Sequence, residues 1–263
     1  DPLATGMLPL CFGEATKIAG LLLSKRKAYV AEAQLGTETD TCDSDGSPTA
    51  QHVVAPFDAA TLERALAPLR GRIRQIPPEY SAIKRDGEPA YRRVRRGETV
   101  EMPAREVEVF ALGVEQLATD RLRLRIECGS GTYVRSLVRD LGRALGCGAH
   151  VASLRRLWVD PFRNAPMFTL QALDAAQARG TTLESLLLPI EAGLVAQPRV
   201  ELDADAAARF RRGQALAMSE GGADRQCVAY GPDGLALGLA AVRAGELRPQ
   251  RQFYPDRVMA AEG

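Results

Sequence analysis

The chain has 263 residues, 46% hydrophobic and 25% charged, enough for one large domain or a large and a small one. No run of eighteen apolar residues appears and the opening residues do not read as a signal peptide, so no membrane partner is expected. Five cysteines form no CxxC pair and only His52 and His150 could join them as metal ligands. The expectation is therefore buried free thiols in a reducing cytoplasm, with no metal and no disulfide framework.

Residues 1–12 carry loop residues and then the alternation Leu8, Leu10, Phe12, which predicts a short strand. The start on Asp1-Pro2 without Met reads as a chain whose first residue lies upstream. Gly13 to Leu23 predicts a helix, closed by Lys25, Arg26 and Lys27 where cations suit the negative helix end. A strand follows from about Ala28 to Leu35. From Ala28 to Glu63 there are seven carboxylates and no Lys or Arg, with an Asp45-Gly46 turn inside an acidic loop. Asp58 and its neighbours predict a helix cap, and the helix runs to about Leu69.

The region from Arg70 to Gly97 reverses the charge, with nine bases against three carboxylates. Such a patch suits phosphate contact through counterion release, although a charge run alone reads more often as a solvated face. Pro77-Pro78 is extended, Asp86-Gly87 turns, and Ala90 to Arg96 is a short basic helix stopped by Gly97. This segment, about 74–98, reads as an insertion projecting from the body. Leu122, Leu124 and Ile126 alternate with Arg121, Arg123 and Arg125, a strand with one apolar face. Val134, Leu137, Val138, Leu141 and Leu145 then fall at helical spacing, ended by Gly146. A strand over about Val151–Val159 carries Arg155 and Arg156, and Thr169 caps the next helix. Gln197-Pro198-Arg199 reads as a linker. Beyond it Asp203 caps a helix to Arg212, and Gly231-Pro232-Asp233-Gly234 joins two strands of a small β-rich unit. The predicted division is 1–196 and 199–263.

Gly129-x-Gly131 lacks the third glycine and the acid of a dinucleotide site, and no Gly-x-Ser-x-Gly is present. Taken alone, Asp1 reads as a frayed end, Tyr29 as a half-buried strand tyrosine and Arg135 as an exposed helix arginine. Together, however, six segments in order resemble one family. They are Asp1-Pro2-Leu3-Ala4-Thr5-Gly6 continuing through Gly13-Glu14-Ala15-Thr16-Lys17, then Lys27-Ala28-Tyr29, then Thr39-Asp40-Thr41-x-Asp43-x-Asp45-Gly46. Gln75-Ile76-Pro77-Pro78-x-Tyr80-Ser81-Ala82-x-Lys84 with Tyr91 and Gly97, then Gly131-Thr132-Tyr133-Val134-Arg135-Ser136-Leu137, and Gly148-Ala149-His150 with Leu154-Arg155-Arg156-Leu157 complete the set. The chain resembles the bacterial TruB-type tRNA pseudouridine synthases over essentially its whole length, without the segment that precedes the catalytic aspartate in that family.

The resemblance implies an α+β fold, with a mixed, mainly antiparallel sheet flanked by helices, a thumb insertion and a PUA-like RNA-binding tail. It implies isomerisation of uridine to pseudouridine at position 55 of the tRNA T-loop, with the base flipped into a pocket. Asp1 would be the catalytic carboxylate, as nucleophile or as base toward the ribose. Arg135 would pair with it, and Tyr29 would stack on the base and take the proton from its C5. Tyr133 and Leu154 would wall the pocket. Tyr80, Lys84, Arg92, Arg93 and Arg96 would contact the T-arm stem-loop from the thumb, and Arg155 and Arg156 would meet phosphate. No cofactor is implied, since nothing is oxidised and nothing leaves. A cytoplasmic monomer is expected. The alternative is a tRNA-binding or refolding module without catalysis, which shares the basic patch and the tail but would not need Asp1, Tyr29 and Arg135 together.

Overall fold

A computed structural model describes residues 1–85, 87–218 and 223–254, with only the backbone of Arg85 described. In chain order the elements are β1 (Ala4–Gly6), a 3-10 turn (Gly13–Ile18) leading into α1 (Ala19–Leu23), β2 (Lys27–Leu35), β3 (Thr37–Thr39) and β4 (Pro48–Gln51). There follow α2 (Ala59–Leu66), β5 (Gly71–Gln75), β6 (Lys84–Arg85), β7 (Glu88–Pro89), α3 (Ala90–Arg95), β8 (Arg105–Ala118), β9 (Arg121–Cys128), α4 (Val134–Ala144) and β10 (Ala149–Val159). The remainder is α5 (Leu170–Ala178), β11 (Arg199–Glu201), α6 (Ala204–Arg211), β12 (Leu216–Ala217), β13 (Arg225–Tyr230), β14 (Ala236–Arg243) and β15 (Glu246–Gln252).

These elements form two compact units, one of Asp1–Leu8 with Ser24–Asn164 and one of Pro9–Leu23 with the chain from Ala165 onward. The first is built on a six-stranded sheet in the order β1-β10-β2-β9-β8-β5. Only the β1–β10 pairing is parallel; the other four are antiparallel. The α+β architecture with a mixed, mainly antiparallel sheet follows from the residues themselves. In β2, the inward residues Ala31, Ala33 and Leu35 are buried, and in β9 Leu124 and Leu122 oppose Ala31 and Ala33 in register, with buried Ile126 opposite Tyr29. Side chains of one strand alternate between faces, so these period-two runs define one apolar face. Val134, Leu137, Val138 and Leu141 of α4, with Leu66 at the end of α2 and Leu69 in the 3-10 turn that follows it, cover that face as one core cluster.

Helix α4 sits close to the sheet because Gly142 allows it. A Cβ at Gly142 would lie 2.4 Å from the Ala149 nitrogen and 2.5 Å from the Ala149 Cβ, at the start of β10. The α2 cap is as predicted, Asp58 Oδ1 accepting from Thr61 N–H at 2.7 Å. Between β5 and β8, the β6–β7 hairpin and α3 form the thumb, with a small core of Ala90, Val100 and Met102.

The second unit carries a five-stranded sheet, β11-β13-β14-β15-β12, around Phe210, Ala240 and Leu247. Asp203 and Thr169 cap α6 and α5 as the sequence predicts. One expectation fails: Leu8, Leu10 and Phe12 form no strand and stand 60–68% exposed. The strand lies earlier, at Ala4–Gly6, where residues 154–156 of β10 offer a hydrogen-bonding edge. Pro9, without an N–H, could not extend it.

Gly142→Ala should cost about 1–3 kcal/mol, the usual penalty of overpacking against backbone that cannot yield. Denaturant unfolding of the native chain and the variant measures this directly. A shift within a few tenths of a kcal/mol would show that α4 does not depend on the close approach.

Candidate active site

The site forms where the start of α4 meets three separate loops. Tyr133 is the N-cap of α4 and Arg135 lies in its first turn. By its pattern Arg135 belongs on the polar face of α4, and yet it is only 6% exposed. A guanidinium so buried needs partners for its charge and its N–H groups. It finds four. Nη2 lies 2.5 Å from Asp1 Oδ1 and donates to the Tyr80 carbonyl at 3.0 Å. Nη1 lies 3.3 Å from Asp43 Oδ2 and donates to the Thr41 carbonyl at 2.8 Å.

Asp43 is the residue that sequence reasoning passed over. It is one of seven acids in its stretch and is 3% exposed. Its second oxygen, Oδ1, accepts from the Thr41 hydroxyl at 2.5 Å and from Asp45 N–H at 3.1 Å. The loop around it is tied to β10: Val151 N–H donates to the Cys42 carbonyl, and Ser44 N–H to that of Val151. The carboxylate is therefore fixed by local turn chemistry and by the sheet.

The remaining turns of α4 repeat the theme. Arg139 donates to the Ile76 carbonyl at 3.0 Å, as the Ser136 hydroxyl does at 2.8 Å. Arg143 lies 3.4 Å from Glu38. Arginines at 135, 139 and 143, one helical repeat apart, thus hold the acidic loop on one side and the root of the thumb on the other. A cavity of about 510 Å³ lies alongside, lined by Arg139, Arg143, Glu38, Asp40 and Glu79 among others. Asp1, Tyr29 and Arg135 are not among its lining residues.

Tyr29 stands at the open end of the core face, beside Ile126 and opposite Arg156 in register. Burial pushes its phenol above the ordinary value, against the opposing pull of the Arg156 guanidinium. The phenol therefore stays neutral near pH 7. Arg156 also donates from Nε to the Met7 carbonyl at 2.5 Å, tying β10 to the residue after β1. Lys27, two residues before Tyr29 on the same face, has its ammonium disfavoured by burial.

The other anticipated residues divide. Tyr133 presents its ring to Arg105, whose guanidinium is 4.8 Å from the ring centroid. Leu154 is packed into the main core cluster beside Ala31 and is 4% exposed. Arg155 is exposed and Arg156 half-buried, and as successive strand residues they point to opposite faces. In the thumb, Lys84 and Arg92 are exposed, and the Arg92 and Arg95 guanidiniums lie 6.0 and 5.5 Å from the Tyr91 ring centroid. Arg96 is paired with Glu88 at 2.6 Å and with Glu98 at 2.8 Å, and Arg93 with Glu98 at 2.7 Å. Asp86, read as part of the thumb turn, lies outside the described residues.

Among the described residues no group of three or more His, Cys, Asp or Glu could hold a metal ion, and no helix is long and apolar enough to cross a membrane.

Comparison with known families gives a direct answer. The profile described as TruB family pseudouridylate synthase (N terminal domain) matches residues 1–134, and two TruB C-terminal profiles match residues 135–195 and 198–253. The chain belongs to the TruB family. It is 58% identical over 257 residues to the tRNA pseudouridine synthase B of Xanthomonas euvesicatoria pv. vesicatoria (strain 85-10), covering 96% of this chain and 82% of that protein. To the Xylella fastidiosa (strain Temecula1 / ATCC 700964) protein of the same name it is 53% identical over 254 residues, covering 96% of this chain and 84% of that one. In fold it is similar to a chain of the solved Cbf5-Nop10-Gar1 complex, with a TM-score of 0.71 at 21% identity, covering 98% of this chain and 75% of that chain. The TruB reaction, conversion of uridine to pseudouridine in tRNA, is the reaction of this chain. It is an isomerase that binds RNA.

Arg135→Ala would leave Asp1 and Asp43 without their common cation. Breaking a buried ion pair by removing one partner costs about 3–5 kcal/mol, and denaturant unfolding near neutral pH should show a loss of that size. A loss below 1 kcal/mol would mean that the guanidinium is not a structural centre.

Proposed function

We propose that the substrate is the uridine at position 55 in the T-loop of tRNA, and that Asp1 is the carboxylate that acts on it. The observation carrying this reading is the ion pair between Asp1 and the buried Arg135. A guanidinium 2.5 Å away favours the ionised carboxylate. An ionised carboxylate can attack the ribose carbon or remove a proton from the ribose. In either course the glycosidic bond to N1 breaks and a bond from the same ribose carbon to C5 forms. C5 gives up its proton and N1 gains one, so composition is unchanged and no cofactor enters.

In this reading Tyr29 stacks on the flipped base, an interaction worth about 1–3 kcal/mol per base. Its neutral phenol favours stacking over service as a free base for the C5 proton. Tyr133, rigid between Gln75 and Arg105, supplies a second ring. Lys84, Arg92 and Tyr80 of the thumb meet the T-arm, with Arg93 and Arg96 joining by exchange from their carboxylates. Residues 1–196 form the synthase domain and 199–263 a PUA-like RNA-binding domain. The chain works as a monomer on cytoplasmic tRNA.

The test uses the full chain, a T-arm stem-loop RNA, and detection of pseudouridine by mass spectrometry after derivatisation. The native chain should form pseudouridine at the T-loop uridine and nowhere else. Asp1→Asn should form none while binding the RNA with affinity within a few-fold of native. Product at another uridine would overturn the T-loop assignment. Loss of binding in Asp1→Asn would make Asp1 structural. Replacing Arg92 and Arg95 together by Ala should weaken binding and flatten the salt dependence by about one to two in slope. An unchanged slope would remove α3 from the interface.

A further inference from the structure

Gln75 closes β5, and its side chain is wholly buried, at 0% exposure. Its carboxamide faces the main chain of one residue. Tyr133 N–H donates to Gln75 Oε1 at 2.8 Å, and Gln75 Nε2 donates to the Tyr133 carbonyl at 3.1 Å. Tyr133 is the N-cap of α4, and its own side chain caps nothing. A helix start leaves its first N–H groups without internal partners, and the cap residue usually satisfies one of them with its own side chain. Here a side chain from the sheet takes that part, and it holds the carbonyl as well.

Two bonds to one residue fix both the position and the rotation of the helix start. Arg135 follows two residues later, and its four partners come from three separate segments. A small slide or turn of α4 would carry the guanidinium away from Asp1. The Tyr133 ring springs from the same clamped residue. We infer that Gln75 is a positioning residue for the isomerisation, acting through the Tyr133 main chain to set Arg135 against Asp1 and to aim the Tyr133 ring. This deepens the proposed roles of Asp1 and Arg135 and rests on them.

The chemistry of the clamp is restrictive, because it needs a donor and an acceptor on one planar group. A carboxamide has both at every pH, a neutral carboxylic acid has both, and a carboxylate has only acceptors. Gln75→Glu is therefore a switchable version of the clamp. When protonated, its O–H donates to the Tyr133 carbonyl while its other oxygen accepts the Tyr133 N–H. When ionised, it loses the donor and sets a charge against that carbonyl. Burial raises the pKa of such an acid, so the working form is the low-pH form and is lost as pH rises. Gln75→Met keeps the volume and removes both bonds.

The test measures turnover of T-arm RNA by the full chain and both variants across pH. Gln75→Met should lower kcat by about 10- to 100-fold, the scale of a misplacement near 1 Å, with KM within a few-fold of native. Gln75→Glu should approach the native kcat at the acid end and fall to the Gln75→Met level at the alkaline end. A Gln75→Glu profile parallel to the native one, or a native kcat in Gln75→Met, overturns the proposal. Should Gln75→Met fail to fold, Gln75→Glu carries the test, since its two states are one protein at two pH values. Hydrogen exchange reads the clamp without activity: the peptide spanning residues 131–137 should exchange faster in ionised Gln75→Glu than in native protein at the same pH. Unchanged exchange overturns the clamp. No pseudouridine from the native chain overturns instead the roles given to Asp1 and Arg135, and exchange still judges the clamp.

Discussion

The guanidinium of Arg135 is the constraint on which the rest of the first unit depends. Taking such a charge out of water is expensive, and its burial persists only where partners answer its charge. Asp1, Asp43 and the carbonyls of Thr41 and Tyr80 do so from three stretches of chain far apart in sequence. Each stretch is therefore located by the same atom group. The acidic loop, the thumb root and the first residue cannot shift independently. The apolar face of α4 docks the helix on the sheet, and its arginine face then organises everything laid over it.

That second role explains what the sequence could and could not tell. The strands β2 and β9, the helix α4 with its stop at Gly146, and the caps at Asp58, Thr169 and Asp203 are written in local patterns of period, cap and turn. So is the thumb helix ending at Gly97. Arg135 is not, because helical periodicity marks it as an outer residue. It is inner only because the loops 40–47 and 76–81 fold back over the polar face, a long-range event. The family resemblance brought Arg135 and Asp1 together where the pattern alone would have left Arg135 in solvent. Asp43 had no local distinction from its acidic neighbours; what sets it apart is the anchoring of its loop to Val151.

The missed strands have different causes. In β8, buried Val107 and Val109 alternate with Glu106 and Glu108, a usable alternation, but the register then shifts and the last four residues are exposed. In β5, Arg72 and Arg74 face outward and Ile73 is the one apolar residue between Gly71 and the buried Gln75, so the charge run hid an edge strand. Leu8, Leu10 and Phe12 show the reverse error. They have the alternation of a strand without a backbone neighbour to pair with. Periodicity reports which face a segment would bury, and pairing decides whether it becomes a strand at all.

The carboxylates that hold Arg93 and Arg96 have a bearing on how an enzyme of this kind lets go. Substrate and product RNA differ only in which base atom is joined to the ribose, so their phosphates and shape are alike. A thumb made of unopposed cations would hold both with equal tenacity, and departure would become the slow step of each cycle. Under the proposed thumb contacts, a phosphate captured by Arg93 or Arg96 would have to displace Glu88 or Glu98, and those acids would stay tethered within eight residues of the arginines. They wait as internal competitors at high local concentration, ready to retake the arginines as each contact loosens. A grip of that kind would be exchanged in small steps, which suits a catalyst that must release a molecule almost identical to the one it bound.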